Sequence, residues 1–99
     1  MRVVYKEPGK DAEIRDIKNE LEELQSLVDG WIEHMSFVDG VGLIMNEEGR
    51  LRNMKPNFRY GWGTVLGSAI FVGETDEDFT DITDEGIEKV MKFLRYHAF

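Results

Sequence analysis

The stretch Thr64-Val65-Leu66-Gly67-Ser68-Ala69-Ile70-Phe71-Val72 decides how the chain is read. It is mostly apolar and β-rich, without alternation of polar residues, so it predicts a strand buried on both faces, with Gly67 marking a bulge or a close approach. Upstream, Val41 to Met45 is a second apolar run with the length of a central strand, entered through the turn pair Asp39-Gly40. Between the two runs, residues 46–63 (NEEGRLRNMKPNFRYGWG) show turn residues, one Pro and no sustained period, and read as a long loop. Further upstream, residues 31–37 alternate, with Trp31, Met35 and Phe37 on one face and Ile32, His34 and Ser36 on the other; Glu33 breaks the first face. Asn19 is placed to cap a helix with Glu22 as its capping-box partner; Leu21, Leu24, Leu27 and Val28 form its stripe and Gly30 ends it. Residues 2–6 and 12–17 flank Pro8-Gly9 as a β-hairpin. Downstream of an acidic turn at residues 74–78, residues 79–82 add a short strand, and Thr83 caps a last helix whose stripe is Ile87, Val90, Met91 and Leu94. The order β-β-α-β-β-loop-β-(β)-α predicts an α+β domain, two helices packed on one face of a mainly antiparallel sheet of about five strands.

Ninety-nine residues allow a single domain over residues 1–99, because halves of that length rarely hold a core without staples. The absence of Cys excludes a disulfide framework, a thiol nucleophile and thiolate metal sites. A net charge of −8 argues against a general affinity for nucleic acid or anionic lipid. No apolar run approaches about 18 residues and no apolar signal segment follows Met1, so the expectation is a soluble, cytoplasmic protein without membrane contact.

Charge is segregated along the chain. Residues 19–49 hold eight acidic and no basic side chains, and residues 64–88 again hold eight acidic and none basic. Between them, residues 50–63 hold Arg50, Arg52, Lys55 and Arg59 and no acid, interleaved with Phe58, Tyr60 and Trp62. Guanidinium groups bind phosphate or carboxylate in bidentate fashion and neighbouring rings offer stacking area, so Arg50, Arg52, Lys55, Asn57, Arg59 and Tyr60 are the candidate partner- or anion-binding residues. The competing structural reading has these cations covering acidic neighbours while Phe58 and Trp62 close the edge of the core. The acidic stretches support an opposite use, a phosphate-like surface presented to the basic groove of a nucleic-acid-binding enzyme.

Catalytic and cofactor chemistry finds little support. Gly61-x-Gly63 is followed by a strand pattern where a phosphate cradle needs a helix. A calcium loop starting at Asp76 would place Asp81 at the required Gly and Ile87 at the bidentate Glu. His34 and His97 are the only histidines, so metal would have to come through them and carboxylates, and no serine sits in a nucleophile elbow. No enzyme activity and no cofactor is expected.

Val3-Val4-Tyr5-Lys6-Glu7-Pro8-Gly9-Lys10, residues 13–17 running into a Leu-spaced helix, and Asn46-Glu47-Glu48-Gly49 followed by Pro56-Asn57 and Arg59 together resemble the DUF3846 family. Val65-Leu66-Gly67, Phe71-Val72-Gly73 and the run from Glu77-Asp78-Phe79 to Ile82-Thr83-Asp84-Glu85 fit as well, so the resemblance spans nearly the whole chain. It carries no catalytic residues; it implies a setting in bacteriophages, prophages and conjugative elements, often beside anti-restriction genes. Two functions follow as expectations. One is a non-enzymatic acidic protein that binds and blocks a host protein, such as a DNA- or RNA-handling defence enzyme, in the manner of anti-restriction or anti-CRISPR proteins. The alternative is a module whose residues 50–62 bind a small anionic ligand, a metabolite or nucleotide.

Overall fold

Three strands of this protein have no solvent face, and the fold follows from covering them. In the structure, a computed structural model describing residues 1–99, the elements are β1 (Arg2–Lys6), β2 (Glu13–Asp16), α1 (Leu21–Val28), β3 (Ile32–Val38), β4 (Val41–Asn46), β5 (Pro56–Tyr60), β6 (Gly63–Leu66), β7 (Ala69–Glu74), β8 (Phe79–Thr80) and α2 (Asp84–His97). The main sheet has the order β2-β1-β7-β4-β3, with β8 paired to β7, and every pairing is antiparallel. It is the α+β fold expected from the order of elements.

The central strands β1, β7 and β4 alternate their apolar side chains between two cores. Val4, Leu43 and Phe71 point to one face, where they meet Val90 and Leu94 of α2 together with Phe58 and Val65. Val3, Tyr5, Ile44, Ile70 and Val72 point to the other, where they meet Leu24 and Val28 of α1. The helices therefore lie on opposite faces, which corrects the one-face arrangement. A strand such as Ala69-Ile70-Phe71-Val72, apolar at every position, needs cover on both sides, and one layer of helices cannot supply it.

The run 64–72 is two strands instead of one. Gly67 has φ +84, and a Cβ there would lie 2.8 Å from Met54 Sδ, so the chain leaves β6 and enters β7 at a residue that only glycine fits. β6 pairs with β5 in a separate two-stranded sheet, so residues 46–63 are no continuous loop: residues 56–63 are β5, the turn and the first residue of β6. α1 also departs from expectation. Its first turn is preceded by Glu20 without a side-chain cap, and the Asn19 amide donates instead to the Phe79 carbonyl at 3.1 Å. At its other end the left-handed residue is Asp29, φ 62, one position ahead of Gly30. α2 begins as read: the Thr83 hydroxyl accepts from Gly86 N at 3.0 Å.

Replacing Phe71 with Ala is expected to cost about 3–5 kcal/mol and Leu24 with Ala about 2–5 kcal/mol in urea denaturation, because each fills one of the two cores. A loss below about 1 kcal/mol for either would show that its face is not a packed core.

Candidate functional site

β5 runs across the main sheet, and three of its residues each meet a different strand. Asn57 reaches Lys6 of β1, Phe58 stacks on Phe71 of β7 with ring centroids 5.6 Å apart, and Tyr60 packs on Phe37 of β3 at 5.3 Å. Tyr60 OH also donates to the Phe37 carbonyl at 3.3 Å. Because β3 is the outer strand, the turn after Tyr60 follows where the sheet ends.

The six residues singled out from sequence divide into two groups. Asn57 is fully buried. Its amide nitrogen donates to the carbonyls of Lys6 and Gly67, both at 2.8 Å, and its Oδ1 accepts from Lys6 Nζ at 3.0 Å. It is not a recognition residue, because every polar atom of its side chain is engaged inside the protein. Arg52 donates to the carboxylate of Asp29 at 3.0 Å and to the Asp29 carbonyl, neutralising the C-terminal end of α1. Tyr60 is half-buried among Phe37 and Phe93. All three make contacts within the protein, and for Asn57, which has no access to solvent, this corrects the assignment to a binding surface. Arg50, Lys55 and Arg59 are exposed and belong to none of the ion pairs.

Phe58 closes the core as the structural reading had it, but Trp62 does not: its side chain is fully exposed. Tyr60 pairs with Gly63, leaving Gly61-Trp62 as a two-residue turn in which Gly61 takes φ +59. A tryptophan offered to water at the tip of a braced hairpin is the feature that sequence reading missed. Its signal was the Gly-Trp-Gly spacing, since glycine on each side leaves the indole no neighbouring side chain to pack on.

The Lys6 ammonium, buried beneath β5, also donates to the Glu7 carbonyl at 2.7 Å. Burial lowers its pKa, partly offset by Asp11. A second polar group lies on the opposite sheet face. Glu74 accepts from Ser36 Oγ at 2.8 Å and pairs with His34 Nε2 through its other oxygen. The Ser36 hydroxyl, then His34, hold the Glu74 carboxyl below its ordinary value against the opposing effect of desolvation. Glu74 stands between Ser36 and His34, so the histidine does not reach the hydroxyl and the three do not form a nucleophile relay. Asp76, Glu77 and Asp78 continue this side as an acidic rim.

One family model, described as "Domain of unknown function (DUF3846)", matches residues 1–95. No curated protein and no solved structure matches the chain.

Asn57→Ala should cost about 2–4 kcal/mol in chemical denaturation, since it strands two carbonyls and a buried ammonium, whereas Arg52→Ala should cost less than about 1 kcal/mol. Equal losses would contradict the division made above. The folded pKa of Glu74 lies below its ordinary 4.5, so its contribution is present above pH 4.5 and is lost as pH falls through the folded value. Glu74→Gln should therefore flatten the acid limb of the stability profile; an unchanged slope would remove Glu74 as its source.

Proposed function

The chain belongs to the DUF3846 family, and from that premise we propose that it is a non-enzymatic binding protein whose recognition element is the tip of the β5–β6 hairpin. Trp62 is the anchor and Arg59, on β5 of the same hairpin, a charged contributor, with Arg50 and Lys55 on the segment leading into the hairpin. The observation that carries this reading is the full exposure of Trp62 on a hairpin whose other aromatic residues are packed. Exposed indole is costly to leave in water, and tryptophan and arginine are enriched among interface hot spots. A hairpin braced at its base also loses little conformational freedom on binding, which favours affinity. The partner chemistry that fits is a protein surface with an apolar cleft for the indole and acidic residues for the guanidinium.

The small-anion alternative has less support. Lys55 lines one open hollow with Pro8, Pro56 and Phe99, while Arg50 lines another with Glu33 and Glu47. Those cations do not converge on one ligand, as a small-molecule site requires. For the acidic-surface alternative, Asp29, Asp84 and Glu85 are engaged in ion pairs with Arg52, Arg2 and Lys89, whereas Glu22, Glu23, Glu47 and Glu48 are in none. The setting implied by the family resemblance makes a host protein in the bacterial cytoplasm, and first among these a nucleic-acid-handling enzyme, the partner class to test. No helix here is long and apolar enough to cross a membrane.

Capture of proteins from bacterial lysate should depend on the tip. Trp62→Ala is expected to weaken binding of the captured partner by at least about 2 kcal/mol, the loss typical of a hot-spot tryptophan, with the melting temperature unchanged. Arg59→Glu should weaken it further and reduce its salt dependence. A partner bound with undiminished affinity by both variants would overturn the proposal.

A further inference from the structure

The Lys6 ammonium is the buried charge that neither the hairpin tip nor the acidic rim uses. Lys6 is 3 % exposed and lines a hollow of about 380 Å³ between the turn joining β1 to β2 and the C-terminal part of α2. An ammonium has three N–H donors; two are engaged with the Glu7 carbonyl and Asn57 Oδ1, and no carboxylate lies within ion-pair distance. Arg95 lines the same hollow and also forms no ion pair. Lys10 is there too, with its charge met by Glu7 at 2.9 Å, and Asp11 is the only acidic side chain on the wall. Lys6 and Arg95 are thus the two cations of the hollow with donors not taken by an ion pair.

Ala12, Met91 and Leu94 give it an apolar side. We propose that this hollow binds a small organic monoanion, a carboxylate carried on an apolar body, with the carboxylate accepting from the free N–H of Lys6 and from Arg95. The donors left on Lys6 and Arg95 suit the two oxygens of one carboxylate. An apolar body would fill the space against Met91 and Leu94 that a bare ion leaves in contact with water. A phosphate fits less well, since its second charge and additional acceptor oxygens would enter a partly apolar hollow with few donors left to meet them. Desolvation depresses the basicity of Lys6 and Asp11 offsets this only in part, so a bound carboxylate would relieve it further. The hollow would act independently of Trp62, which does not line it.

The test is a two-dimensional NMR titration of the full chain with phenylacetate, with phenylacetamide and inorganic phosphate as comparison probes. Phenylacetate is expected to shift the backbone amides of Lys6, Ala12, Met91 and Leu94 saturably at concentrations up to roughly 10 mM, and to raise the pKa of the Lys6 ammonium. Phenylacetamide and phosphate should leave these amides unmoved. Arg95→Gln, at an exposed position, should weaken phenylacetate binding by about tenfold, and Lys6→Met should abolish it. If Lys6→Met does not fold, Arg95→Gln and the amide probe decide alone. No saturable shift, equal binding of phenylacetamide, phosphate binding as tight as phenylacetate, or unchanged affinity in Arg95→Gln would each overturn the proposal.

Discussion

The three hydrogen bonds of the Asn57 side chain set where the hairpin lies, and much else follows from that. Two tie it to the carbonyls of Lys6 and Gly67, and the third receives the Lys6 ammonium, at a side chain that itself has no access to water. Leaving a buried amide unpaired costs about 1–3 kcal/mol per group, so β5 has one favourable position against β1. A slip of one residue would expose Asn57 and carry Phe58 off Phe71, because neighbouring strand residues face opposite ways. Once Asn57 is in place, Phe58 and Tyr60 land on β7 and β3 in turn, and the turn at Gly61-Trp62 follows past the sheet.

That placement also completes the core. β1, β7 and β4 present apolar side chains to both faces, yet the chain has only two helices. α1 covers one face, while α2 shares the other with Phe58 and Val65 of the hairpin. The outer strands are treated differently. β2 reads Glu-Ile-Arg-Asp and is exposed throughout, and β3 carries Glu33, His34 and Ser36 in exposed positions, as suits edges that must not pair with other chains.

The parts legible in the sequence are those whose cause is local. The β1–β2 hairpin, β4, the close approach at Gly67 and the Thr83-capped α2 each follow from a period, a turn pair, a glycine or a cap within a few residues, whereas the division of 64–72 into two strands at Gly67 does not. The hairpin 56–66 was not legible, because its first strand opens with Pro56 and Asn57, residue types that elsewhere signal a turn. Asn57 is buried only because a partner 51 positions away satisfies it, and Arg52 is structural only because Asp29 lies 23 positions away. The two motifs of the family resemblance that contain Lys6 and Asn57 are therefore in direct contact, a relation that spacing along the chain does not reveal. Likewise, whether Trp62 closes the core or faces water depends on where β5 crosses the sheet.

A hairpin locked at its base and free at its tip is a rigid mount for one exposed indole, and the lock is the part most directly measurable. Amide hydrogen exchange followed residue by residue, in the natural protein and in Asn57→Ala, isolates it. In the natural protein Phe58 and Val65, paired in the hairpin, should be protected nearly as well as Leu43 and Phe71, paired in the main sheet. In Asn57→Ala the hairpin amides should exchange far faster while Leu43 and Phe71 keep most of their protection. Equal protection of the hairpin in both proteins would contradict the lock.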